Sequence, residues 1–211
     1  TDYEYTHGTR LWVESDRLGF LPWLLDDPLG CRSSDACRHR IILGQELYTP
    51  RHDAPEPIEG QRPHAAWLYF AVETLRATER ETTKIGALIG IVGPDAYGED
   101  VQRAVHKWLG FRQLQGWKHQ LPLEPTIQFR ISRERRLISA AKGLAAYGLI
   151  LDSGADLGNA LIMGSSQIAA QLCLGRPHCA SPPPRTTHAL SLVLRAAIGT
   201  RAVLRNVFLD G

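Results

Sequence analysis

The sequence predicts an all-β protein: antiparallel strands joined by polar turns, with one short helix among them. Three observations lead there. Several segments alternate with the two-residue period of a strand, most cleanly Ile127, Phe129 and Ile131 against Gln128, Arg130 and Ser132. Stretches rich in Gly, Pro, Asp and Ser separate them. One segment, running from Gly93-Pro94 to Gly110, carries instead the period of an amphipathic helix.

In order, the first strand covers residues 1–14. Leu11 and Val13 share one face; Thr6, Gly8, Arg10, Trp12 and Glu14 share the other. A polar loop over 15–39 leads to a second strand at 41–49, stopped by Pro50. A proline-rich loop, 51–63, precedes a third strand at 66–74. A charged turn over 76–84 precedes a fourth at 85–92, whose Gly86 and Gly90 suit a curved sheet. In the helix, Asp95, Glu99 and Asp100 lie near the positive end of the dipole, Val101, Ala104, Val105 and Trp108 form the apolar stripe, and Gly110 is the left-handed stop. Further strands are expected at 126–132, 144–154 (with a buried helix as the alternative that pattern alone leaves open), 167–174 and 189–208, the last interrupted near Gly199. Arg133-Glu134-Arg135-Arg136 reads as a solvated turn. About eight strands result. Strands of this kind fit an outer-membrane barrel and equally a soluble sandwich or barrel; periodicity does not separate the two.

The 211 residues contain no linker, so one domain over 1–211 is expected. A net charge of +2 argues against a nucleic-acid partner. No apolar run reaches the ~18 residues of a membrane-spanning helix, which says nothing against membrane strands. The four cysteines form two equally spaced pairs, Cys31/Cys37 and Cys173/Cys179, read as two local disulfides of an oxidising compartment, with four free thiols as the alternative. The chain starts at Thr1 without a methionine or leader, and ends abruptly at Gly211. It is expected to be an internal piece of a longer protein, truncated at both ends.

Among eight histidines, His106 stands out because Gln102 lies one helical turn before it. An amide there can orient water or a substrate oxygen beside an imidazole base. The plain alternative is a histidine packed beside Trp108 and a surface glutamine. His39, His52, His178 and His188 fall in expected turns, where exposure is the default. Gly-x-Ser-x-Gly, His-Glu-x-x-His, Cys-x-x-Cys and an EF-hand loop are all missing from the sequence. Spacing alone therefore supports a histidine-based hydrolase only weakly.

A set of ordered motifs says more. Thr1-Asp2 with Tyr5-Thr6-His7-Gly8 comes first, then Gly44-Gln45 with Tyr48-Thr49-Pro50, then Arg62-Pro63-His64-Ala65-Ala66-Trp67-Leu68-Tyr69. Gly93-Pro94 with Gln102 and His106 follows, then Gly116-Trp117, Gln120, Glu124-Pro125, Gly158-Asn159 and Arg205-Asn206-Val207-Phe208-Leu209-Asp210-Gly211. Together they resemble the outer-membrane lipid A 3′-O-deacylase family over nearly the whole chain.

The resemblance implies a twelve-stranded antiparallel transmembrane β-barrel, about eight strands of it present here, with the helix in an extracellular loop. It implies a monomer in the outer membrane of Gram-negative bacteria that hydrolyses an ester-linked acyloxyacyl chain of lipid A in lipopolysaccharide, with a calcium ion as cofactor. His106 would be the general base, Gln102 its helix partner, and Thr6 the active-site hydroxyl on the neighbouring strand. An Asn-Asp pair that the family needs would lie upstream of Thr1, which leaves the metal ligands unknown. The chain departs from the family in having His7 for Asn, and Arg112 where some members carry an acidic residue. Those departures motivate a second expectation, a catalytically inactive relative with a structural or lipid-binding role. A soluble β-rich hydrolase is the third. Strand parity predicts that both cysteine loops lie at the end opposite the helix, which is periplasmic if the helix is extracellular.

Overall fold

The computed structural model describes residues 5–15, 29–31, 37–143, 145–174 and 192–210. Eight strands form a single antiparallel sheet in sequence order: β1 Tyr5–Ser15, β2 Cys37–Tyr48, β3 Ala65–Ala77, β4 Glu81–Val92, β5 Glu124–Lys142, β6 Ala145–Gly158, β7 Leu161–Leu174 and β8 Leu192–Asn206. A helix, α1 Gly98–Leu109, lies in the connection from β4 to β5, and a short turn of helix, α2 Val207–Asp210, follows β8. Among the described residues β1 and β8 are not paired.

The sheet curls back on itself. Phe208, just past β8, stacks on Tyr48 of β2 with ring centroids 4.2 Å apart and lies 5.6 Å from the Trp67 ring of β3. The face bearing Tyr48 and Trp67 is therefore the inner one. Its lining mixes a small apolar cluster (Ile42, Trp67, Tyr69, Leu88, Val92, Phe208) with charge. Arg10 donates to Glu46 at 2.6 Å, Tyr48 donates to the same carboxylate at 2.7 Å, and Arg130 pairs with Asp156 at 2.6 Å.

The outer face is apolar. Leu11, Leu43, Phe70, Ile89 and Ile127 are successive partners in one register row from β1 to β5. All five are exposed. On β5 the inversion is complete: Ile127 is 60% exposed and its neighbour Gln128 is 0% exposed. A water-soluble sheet does the reverse, since apolar surface gains by leaving water. Polar side chains inward and apolar ones outward are the pattern of a barrel wall whose outer solvent is lipid. The soluble alternative does not fit this arrangement.

Several elements run further than the local pattern indicated. Arg133–Arg136 are in β5, not in a turn; Arg133 pairs across the sheet with Glu81 and Arg136 donates to the Thr78 carbonyl. Charged residues on both faces there mark a rim where each face meets water, so the alternation carries no apolar signal. β8 passes Gly199 without a break. His39 is a strand residue, buried, with Nδ1 3.0 Å from the Thr74 hydroxyl of β3. Register also climbs steadily, so each strand is offset along its neighbour.

Cys31 and Cys37 are bonded, with α-carbons 5.8 Å apart, within disulfide reach. Cys173 is disulfide-bonded as well; its expected partner Cys179 lies outside the described residues, as do His178 and His188. Because the strands meander in order, Cys37 at the start of β2 and Cys173 near the end of β7 lie at the end opposite α1, as parity predicted.

Candidate functional site

α1 begins abruptly. Pro94–Ala96 form one tight helical turn, and Tyr97 then adopts a left-handed backbone (φ 56°) before the helix proper. Tyr97 carries the only positive φ of a non-glycine among the described residues, a costly conformation for a bulky side chain. The Gln45 amide of β2 holds this turn by donating to the Ala96 carbonyl at 2.6 Å. Gly110 ends the helix at φ 73°, the left-handed stop the sequence indicated.

The helix rests on the outer face of the wall. Gly98 sits so close to it that an added Cβ would lie 2.4 Å from the Ala66 Cβ, with Trp117 and Leu47 almost as near. Leu47, Ala66, Ala96 and Trp117 form the seat, with Leu68, Ile91, Val101 and Leu114 around it. Leu47 is on the same face of β2 as Leu43, and Ala66 and Leu68 on the same face of β3 as Phe70. The helix buries Gly98 and Gln102 and packs Val101 of the expected stripe, while Trp108 of that stripe is 83% exposed. The stripe was assigned as if water surrounded it. On a lipid-facing wall an outward apolar residue is no anomaly.

Gln102 and His106 lie a turn apart, and each is held by one defined contact. The Trp117 indole N–H donates to Gln102 Oε1 at 2.7 Å. An indole nitrogen can only donate, so the amide orientation is forced, and the Nε2 donor faces away from Trp117. That Nε2 is buried and has no hydrogen-bond partner in the structure, which makes it a donor awaiting an acceptor. His106 Nδ1 lies 2.5 Å from the Arg112 carbonyl. A carbonyl can only accept, so Nδ1 carries the proton and Nε2 of the neutral ring keeps its lone pair. Phe111 meets the His106 ring edge-on at 5.8 Å.

The Arg112 loop is itself tethered. Asp53 of the β2–β3 loop accepts from the Gln115 backbone N–H at 2.9 Å and pairs with Arg112 at 3.3 Å. Beneath lies His64, its ring 5.0 Å from Trp117 and its Nε2 4.0 Å from Asp53. Burial pushes the His64 pKa below its ordinary value, against the opposing pull of Asp53. Trp117 and Asp53 were not singled out by spacing; only the motif Gly116-Trp117 flagged the first, and nothing local flagged the second.

Thr6 lies in β1 at a register irregularity between Tyr5, opposite Tyr48, and His7, opposite Leu47. Leu47 belongs to the helix seat, so the Thr6 backbone is one strand away from α1. A cleft of about 180 Å³ opens by the same loops, lined by His52, Arg62, His64, Gly116 and His119 among others, but by neither Gln102 nor His106. Among the described residues no three His, Cys, Asp or Glu side chains converge to hold a metal. Asp53, the carboxylate tied to this loop, has both oxygens engaged by Gln115 and Arg112. The described residues thus show no carboxylate cluster of the kind on which a calcium site is often built.

The family model described as "Outer membrane protein LpxR" matches residues 1–211. Among solved structures, LpxR from Salmonella typhimurium is similar with a TM-score of 0.79 at 20% sequence identity, covering 99% of this chain and 69% of that one; at that identity the likeness speaks for the fold. Curated proteins yielded no match.

Proposed function

The chain belongs to the outer membrane protein LpxR family, and from that premise we propose that it is a lipid A deacylase, hydrolysing an ester-linked acyloxyacyl chain of lipopolysaccharide. It resides in the outer membrane. The observation that carries the reading is the locked tautomer of His106, which presents a free Nε2 on the outer face of the wall, one turn from an unpartnered amide donor.

In the proposed reaction His106 Nε2 takes a proton from water as its oxygen attacks the ester carbonyl carbon. The carbonyl electron pair moves onto oxygen, and the Gln102 Nε2–H is the donor offered to that oxyanion. Collapse expels the alkoxide of the lipid A backbone, which takes the proton back from His106. The products are the released acyloxyacyl fatty acid and a lipid A hydroxyl. Thr6 is proposed as the active-site hydroxyl contributed by β1. Calcium dependence is proposed with this reaction, and full activity in excess chelator would dismiss that dependence.

The test is the lipid A mass spectrum of a suitable host expressing the intact protein. Loss of one acyloxyacyl mass is expected, and His106→Ala should slow the reaction by about 10²–10⁴-fold. An unchanged spectrum with properly inserted wild-type protein would reject the activity and favour the inactive-relative reading.

A further inference from the structure

We propose that the C-terminal end of α1 is an interfacial anchor, docked at the acyl–headgroup boundary of the outer leaflet against a phosphate-bearing acyl lipid. The identity of that lipid as lipid A rests on the deacylase reading; the docking itself does not.

α1 rests on Leu47, Ala66, Leu68 and Ile91, which continue upward the outer face carrying Leu43, Phe70 and Ile89. The helix is thus laid over the lipid-facing wall, and its surroundings are continuous with the lipid-facing row. Its apolar residues are only partly used on the wall. Trp108 projects from it almost fully exposed, followed by Leu109 and Phe111, which are 47% and 60% exposed.

Charge supports the same occupant. Lys107 and Arg112 are exposed on either side of this apolar tip, and the Arg112 side chain keeps 72% of its surface free while touching Asp53. A Trp–Leu–Phe tip with flanking cations is the composition of a segment lying in a membrane interface, where the rings sit at headgroup level and the cations meet phosphate. Phe111 links the anchor to chemistry, because its ring also meets the edge of His106. A lipid held by the tip has its upper acyl chain beside the imidazole.

The experiment uses the intact protein reconstituted in phosphatidylcholine–phosphatidylglycerol vesicles with brominated acyl chains, and compares its tryptophan fluorescence with that of Trp108→Phe. If the tip is docked, the substitution removes a component quenched by bromolipid and shielded from aqueous iodide. A Trp108 component quenched by iodide and untouched by bromolipid overturns the proposal. Quenching that depends on protein-to-lipid ratio assigns the face to a second copy and also overturns it. In assays on lipid A, Trp108→Gln should raise the half-saturating concentration about tenfold, with Trp108→Phe near wild type. Wild-type protein that shows the bromolipid component yet leaves lipid A intact supports the anchor while rejecting the deacylase reading.

Discussion

Two glutamines are buried to nearly the same degree on opposite sides of the same wall. Gln128, on the inner face of β5, is fully used: its Nε2 donates to the Leu161 carbonyl at 2.6 Å and its Oε1 accepts from the Leu161 N–H at 3.2 Å. Gln102, under α1 on the outer face, is half used: Trp117 takes the oxygen and nothing takes the nitrogen. The inner amide closes a backbone pair that would otherwise be orphaned. The outer one is oriented and then left open. A polar group satisfied on both sides belongs to architecture, and one held by a single side is available to a visitor.

Substitution by methionine separates the two roles. Gln102→Met should lower turnover by about 10²–10³-fold, the usual effect of deleting an oxyanion donor, while the barrel still resists heat-dependent unfolding on gels. Gln128→Met should do the opposite, costing about 1–3 kcal/mol of stability by stranding the Leu161 N–H and C=O, with turnover per folded molecule retained. A Gln128 variant that folds normally but loses turnover would break the contrast. Trp117→Phe probes the orienting bond alone: it keeps the ring and frees the amide to turn, and about a tenfold loss in turnover is expected, with little change in half-saturating lipid. If half-saturation rises and turnover does not fall, the indole serves packing only.

The smallest effect concerns His64 beneath the site. Its pKa is lowered from 6.5 in the folded protein, so above that pH the ring is neutral in both folded and unfolded chains and stability is undiminished. As pH falls below 6.5 the unfolded chain takes up the proton first, and stability declines until the folded pKa is reached, at less than about 1.4 kcal/mol per pH unit. Amide exchange at Leu121, whose N–H bonds the His64 carbonyl at 2.9 Å, should quicken over that range. In His64→Gln the acid-side quickening should vanish.

Much of this was legible beforehand, for local reasons. The helix announced itself by its period and its glycine stop, and Gln102 with His106 by their separation of one turn. Strand count followed from alternation. Strand length did not, because Arg133–Arg136 sit at a rim where neither face is apolar. His39 looked like a loop residue because its partner Thr74 is supplied by another strand. Trp108 was assigned to the buried stripe because period identifies a face without naming the solvent it meets. Trp117 is fifteen residues from the amide it orients, and Asp53 reaches the helix loop from across the sheet end, so neither contact leaves a mark at short range.

The steady offset of the register has a further meaning. Starting from Val13 near the foot of β1, the partners run Ile41, Val72, Ala87, Phe129, Leu157, Ile162 and finally Arg205 near the head of β8. The hydrogen-bonded rows are therefore ramps, and the wall is wound like the thread of a screw. Residues at one depth in the membrane lie diagonally across these ramps, so Val13 at the foot of β1 and Arg205 at the head of β8 stand at different depths although one ladder row joins them. One inserted residue in any strand would shift everything beyond it by a step along the thread and turn its lipid-facing set toward the interior.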